Sequence, residues 1–377
     1  MKIIIAPNEF KGSLSALKVA THIERGIKRV FSSAICELYP VADGGDGTLD
    51  VMIQNTGGKF ISVPVFNPLG EEMQARLGII GETAVVEMAE ASGLRLLKRD
   101  QLNPMRTTTY GTGQLIKAAL DYGCKRIVVG VGGSATVEGG IGMAQALGAK
   151  LLDAQGNEIA YGGAGLLQLH RVDLSGLDPR LQDVKIQVAC DVTNPLLGET
   201  GAARVFAPQK GADAQMVVDL ERGLMQLADV IQRDLNKSVA EMTSGGAAGG
   251  LATGLYAFLG AELVSGVDLI LDIIGLEAHI KDADLVITGE GRIDNQTAYG
   301  KAPAGVLRLA RKYDVPVVAL AGGVAGGVEF DAVLSIVDAP QSLDDAMQSA
   351  AILTENAAER MMHLIKVGGR LLCTNSQ

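Results

Sequence analysis

Tryptophan is absent, and aromatic residues make up only 4% of the 377 residues, so the stacking platforms that single-stranded nucleic acids need are missing. A positive field is missing too. The formal charge is −10, which disfavours nucleic acid and anionic membrane surfaces as partners. The four cysteines, Cys36, Cys124, Cys190 and Cys373, form no Cys-x-x-Cys pair and read as buried thiols in a reducing compartment. His22, His170, His279 and His363 stand apart from one another and from any cysteine at ligand spacing, so no zinc centre is expected. No Gly-x-Ser-x-Gly elbow lies between a strand and a helix, which argues against a serine hydrolase. The opening Met1-Lys2-Ile3-Ile4-Ile5 is too short for a signal peptide and reads as a first buried strand. Residues 242–261 carry no charge, but glycines interrupt them too often for a membrane span, and they read as a glycine-rich loop and a packed helix. A cytoplasmic protein is expected.

Glycine is what the chain has in excess, with 48 residues clustered beside strand-like runs and following no fixed period. Length suggests two or three domains at about 150 residues each. Residues 3–6 read as a strand covered on both faces. Ser13 or Ser15 can cap a helix with Leu14, Leu17, Ile23, Ile27 and Val30 on one face, and residues 35–39 read as a second strand. From about residue 59 the texture turns to a meander of short strands over 60–65, 72–80 and 83–88. Strands are expected over 126–131 and 185–189, a hairpin over 150–159 and an amphipathic helix over about 214–235. The α/β pattern returns with strands over 284–288, 315–321 and 332–337, then a helix from Leu343 to about Ile365. The expected fold is two-domain α/β. Residues 1–62 plus 262–377 form a discontinuous, doubly wound, mostly parallel Rossmann-like domain, and 63–261 form an inserted mixed-sheet α/β domain.

Several strands run into loops that combine glycine with an acid, a hydroxyl or a cation. In Pro40-Val41-Ala42-Asp43-Gly44-Gly45-Asp46-Gly47-Thr48 two carboxylates three residues apart stand where a strand meets a helix start. They suit Mg²⁺ arriving with a phosphate, and they equally suit a capped turn with two solvated acids. The loop 289–294 repeats the pattern, with Glu290 and Asp294 bracketing Arg292 and Lys301 further on. It is not a P-loop, because Ala302 follows the lysine. Gly132-Gly133-Ser134-Ala135-Thr136 can cradle an anion with backbone N–H groups and hydroxyls. Read from Gly130, with Asp153 downstream, the same stretch approximates a dinucleotide fingerprint, which keeps an NAD-dependent dehydrogenase open. With acids, cations and glycine turns but no evident nucleophile, the set fits phosphoryl transfer, where a protein mainly positions phosphates, Mg²⁺ and an attacking hydroxyl.

These blocks, in this order, resemble the type I glycerate kinases over nearly the whole chain. The match runs through Ile5-Ala6-Pro7, residues 10–16, 40–48, 107–113, 132–136, 191–195, 208–212, 245–250 and 286–301. The resemblance implies ATP-dependent phosphorylation of D-glycerate to 2-phosphoglycerate, with Mg²⁺, in a cleft between two α/β domains of a monomer or homodimer. A kinase for another small sugar acid is the neighbouring alternative. On this reading Asp43, Asp46 and Asp191 hold Mg²⁺ or orient the attacking hydroxyl, and Asp191 or Asp294 is the leading general base. Lys11, Lys210, Arg292 and Lys301 bind the glycerate carboxylate or phosphate, and Lys11 also counts among the catalytic residues. Gly132, Gly133, Ser134, Thr136, Gly245, Gly246, Gly249 and Glu290 serve the nucleotide. The chain departs from the family pattern at Asn8-Glu9, where Asp-Ser is usual, and at Val137-Glu138, where Asn-Asp is usual. In both loops a carboxylate persists with changed position or length.

Overall fold

A computed structural model describes residues 1–294, 297, 301–326 and 329–374. In chain order the described strands begin with β1 (Lys2–Pro7), β2 (Ile35–Leu38), β3 (Lys59–Phe66), β4 (Glu72–Ile80), β5 (Thr83–Glu87) and β6 (Arg126–Gly130). There follow β7 (Lys150–Leu152), β8 (Arg171–Asp173), β9 (Lys185–Ala189), β10 (Glu262–Val264), β11 (Leu285–Ile293), β12 (Val317–Val324) and β13 (Ala332–Ser335). They fall in two units, one made of Met1–Asp43 with Val267–Gln377 and the other of Gly44–Gly266.

The first unit holds a parallel sheet in the order β13-β12-β11-β1-β2. The inner strand β1 carries Ile3, Ile4 and Ile5 with no exposed surface, as a strand covered on both faces requires. Ser15, and not Ser13, caps the helix Ala16–Val30; Ser13 instead donates to Met347 O at 2.7 Å. The apolar stripe of that helix, Val19, Ile23 and Ile27, packs with Leu353, Ala357 and Met361 of the helix Ala350–Thr374. The closing helical region is two helices, Leu343–Gln348 and Ala350–Thr374, with Ser349 between them.

The second unit holds a sheet in the order β10-β9-β6-β5-β4-β3. Its first four strands are parallel, and β4 and β3 join antiparallel, as the meander pattern predicts. The helix Thr48–Thr56 packs against β4 and β5 and so belongs here. The expected 150–159 hairpin forms as a short one, held by an antiparallel bridge between Leu152 and Glu158 with Ile159 N donating to Leu151 O at 2.9 Å. The regular partner of β7 is β8, in a small sheet of its own. The amphipathic helix spans Ala214–Leu235 and is capped by Asp213.

One expectation changes at the site. Residues 289–293 are not a loop: β11 continues to Ile293, with Glu290 paired to Ala321 and Arg292 to Gly323. Glycine makes this possible, since a Cβ on Gly289 would stand 2.0 Å from Leu320 O. Among the described residues no helix is long and apolar enough to cross a membrane. Cys124 and Cys190 are buried free thiols and Cys36 is half-buried, while the side chain of Cys373 lies outside the described residues.

Candidate active site

In the first unit the carboxyl ends of β1, β2 and β11 bring one set of groups together, the place where parallel sheets offer ligand sites. After β1, Asn8 N donates to Gly289 O at 2.8 Å and Asn8 Nδ2 donates to Asp43 Oδ2 at 3.4 Å. On the neighbouring strand Glu290 is only 6% exposed, yet its carboxylate accepts a hydrogen bond from Thr297 Oγ1 and faces Lys301 Nζ at 3.6 Å. Burial pushes the Glu290 carboxyl up and the charge of Asp43 adds to that, while Thr297 and Lys301 oppose it. Arg292 is exposed and pairs with Asp294 at 3.3 Å. The exposed Lys11 follows on the loop after β1. Asp43, Glu290, Lys301, Arg292, Asp294 and Lys11 therefore lie at the carboxyl ends of neighbouring strands, with Asn8 bonded to Asp43 and Thr297 to Glu290, the second a support that pattern reading did not single out. Residues 295, 296 and 298–300 of this block lie outside the described residues.

In the second unit the ends of β5, β6 and β9 carry the other set. Gly132 N donates to Gly44 O at 3.2 Å, so the 44–47 and 132–136 turns lie backbone to backbone. Gly133, with φ +70°, is where Asp46 reaches in: a Cβ there would stand 2.6 Å from Asp46 Oδ1. Asp191, after β9, accepts from Gly266 N at 2.9 Å. Glu87 is a residue that sequence reading missed. The helix Thr48–Thr56 begins at Gly47, which has no side chain to cap it. The buried Glu87 carboxylate takes that place, accepting from Leu49 N at 3.1 Å and Gly47 N at 3.4 Å. Arg95 bridges Glu87 at 3.5 Å, Glu90, and Asp46 at 4.0 Å. Burial pushes Glu87 up to about 7 despite the Leu49 bond and Arg95.

Lys210 is not where a substrate ligand would stand. It is 2% exposed, and Nζ donates to Ser134 Oγ at 2.6 Å and to Thr136 O at 2.7 Å. Burial pushes it down to about 7. The 245–250 turn braces the same place from beneath. Gly246 N donates to Asn194 O at 2.9 Å, and a Cβ on Gly249 would stand 2.0 Å from Thr136 O, so Gly245, Gly246 and Gly249 serve close backbone packing. Glu138 is fully buried and accepts from Thr109 N at 2.6 Å, Gly162 N at 2.8 Å and Gly142 N at 3.1 Å, which makes it a tie between loops. Asp153 accepts from Gln155 N and Asn157 N at 2.9 Å within its own turn, away from the β6 sheet. The ribose-binding acid of a dinucleotide site therefore has no counterpart there.

Acids and cations at the ends of parallel strands are what a phosphoryl-transfer site needs, and known proteins can be set beside them. The model of the Glycerate kinase family matches residues 3–366. The chain belongs to the glycerate kinase family. It is 49% identical over 375 residues to "Glycerate kinase" of Bacillus subtilis (strain 168), covering 97% of this chain and 98% of that one. It is 48% identical over 378 residues to "Glycerate 2-kinase" of Escherichia coli (strain K12), covering 98% and 99%. A crystal structure from Salmonella typhimurium LT2, described as a proposed glycerate kinase 2, superposes with a TM-score of 0.88 at 48% identity, covering 98% of this chain and 99% of that one. This family member shows no group of three or more His, Cys, Asp or Glu able to hold a metal among its described residues. Mg²⁺ that arrives with a nucleotide takes most ligands from phosphates and water and only one or two carboxylates from protein, so a single carboxylate of Asp43, Asp46 or Asp191 fits it.

Proposed function

We propose that the protein transfers the terminal phosphoryl group of ATP to a hydroxyl of D-glycerate, giving 2-phosphoglycerate. The observation that carries this reading is the near full-length likeness to the glycerate 2-kinase of Escherichia coli, at 48% identity. The chemistry of the loops agrees with it. Lys11, Arg292 and Lys301 present cations suited to the glycerate carboxylate and the transferred phosphate. On this reading Asp191 or Asp294 takes the hydroxyl proton; Asp294 pairs with Arg292 and Asp191 accepts from Gly266 N. The 132–136 turn, with Ser134, receives the nucleotide phosphates. Mg²⁺, held by Asp43, Asp46 or Asp191, supplies charge neutralisation at the phosphates when bound.

The test is ADP release from purified protein with Mg²⁺, ATP and D-glycerate, with the product identified by ³¹P NMR. ADP release that needs glycerate, together with a 2-phosphoglycerate signal, supports the reading; no release, or release indifferent to glycerate, sinks it. Asp43→Asn is expected to lower kcat by about 10²-fold or more with little change in circular dichroism. Near-normal turnover in that variant would remove Asp43 from the chemistry.

A further inference from the structure

Lys210 poses a physical problem that substrate binding does not solve. Its amino group is buried, and burial alone accounts for its lowered proton affinity, so no carboxylate among the described residues compensates a charge there. A methionine would fill the same slot without that cost. Both of its bonds go to one turn, to Ser134 Oγ and to Thr136 O. Because Lys210 donates to Ser134 Oγ, it occupies a lone pair of that oxygen and leaves the hydroxyl hydrogen for another acceptor. Thr136 Oγ1, fully buried on the same turn, has no partner among the described residues. Meanwhile Gly132 N and Ala135 N are spent on Gly44 O and Ser92 O, so the turn has fewer backbone donors to give than its glycines suggest. An uncompensated amino group beside one turn, with the Ser134 hydroxyl hydrogen and the Thr136 hydroxyl left over on it at the carboxyl end of β6, describes a site short of an anion.

We propose that Lys210 is a positioning residue for nucleotide phosphate: it fixes the Ser134 hydroxyl as a donor toward an anion on the 132–136 turn and supplies the positive charge that the anion neutralises, without touching glycerate. The proposal rests on the phosphotransfer reading above, and the experiment separates the two. Binding of a non-hydrolysable ATP analogue to the full chain is measured by calorimetry without glycerate, and the KM for glycerate is measured apart. Lys210→Met is expected to weaken analogue binding about tenfold or more while the glycerate KM moves less than about twofold. Ser134→Ala, which keeps the Lys210 side chain in its slot with its bond to Thr136 O and so tests the idea even if Lys210→Met fails to fold, is expected to weaken it comparably. The double variant is expected to lose less than the sum of the two single losses, because both residues act in part through one hydroxyl. Unchanged analogue affinity in Ser134→Ala, additive losses in the double variant, or a raised glycerate KM with intact analogue binding overturns the proposal. Normal analogue binding by a wild-type protein that releases no ADP with glycerate would overturn the substrate assignment and leave Lys210 in place.

Discussion

At the scale of single residues, Glu87 makes a claim that titration can check. Its carboxyl is 1% exposed and is pushed from an ordinary 4.5 to about 7, chiefly by burial. Between about 4.5 and about 7 the folded chain keeps a proton on Glu87 that the unfolded chain has released. Stability from this group is therefore full below about 4.5, falls as pH rises through the window and is flat above it. The span corresponds to about 3 kcal/mol for so buried a group. Glu87→Gln, neutral throughout, is expected to lose that dependence, so its urea midpoint relative to wild type should climb from pH 4.5 to pH 8. A variant that tracks wild type at every pH would show that Glu87 does not titrate in this window. The variant should also report on Asp46, because Arg95 ties the two acids together. Nothing near Glu87 in the sequence announces this role. The helix it caps begins 39 positions earlier in the chain (87 against 48), and only the fold makes them neighbours.

At the scale of elements, the chain was most legible where period and capping agree. The amphipathic helix ending at Leu235, the meander of β3 to β5 and the isoleucine run of β1 all follow from alternation or from an apolar stripe. The reading failed where glycine does the work of a strand. Residues 289–293 look like a loop because glycine brackets an acid, yet they pair with β12 across its own glycines. The expected consequence is specific. Gly289→Ala forces a Cβ to 2.0 Å from Leu320 O and should break the β11–β12 pairing beneath Glu290, lowering stability by about 3 kcal/mol. Gly323→Ala, whose Cβ would meet nothing nearer than Arg292 Cγ at 3.8 Å, should stay within about 0.5 kcal/mol of wild type. Thermal unfolding of the two variants decides it; equal melting temperatures would mean that the strand tolerates displacement. The candidate site residues divide in the same way. The acids and cations at strand ends, Asp43, Glu290, Arg292 and Lys301, were visible as types beside glycine. The burial of Lys210 was not, because Pro208-Gln209-Lys210-Gly211 has the composition of an exposed turn.

At the scale of the whole molecule, the discontinuity of the first unit has a measurable consequence for the second. The core of the second unit runs from Val63 through Leu77, Val129, Leu224 and Leu255 to Ala261 and draws only on residues within 44–266. Its sheet is likewise closed over that span, from β3 to β10. The core around Ile3, Ile23, Ile287, Leu320 and Met361 draws only on the other unit. The first unit cannot be cut the same way, since β1 pairs with β2 on one side and on the other with β11, which lies beyond the whole second unit in the chain. A continuous segment with its own sheet and core meets the conditions for independent folding. We therefore expect residues 44–266, expressed alone, to unfold in urea in one cooperative transition with mixed α/β circular dichroism. Residues 1–43 joined to nothing should show no cooperative transition, because β1 would lack β11 and the helix Ala16–Val30 would lack the helix Ala350–Thr374 that it packs against. If the 44–266 fragment melts without cooperativity, the core assigned to it is not self-sufficient, and folding of the inserted segment depends on the strands that flank it in the chain.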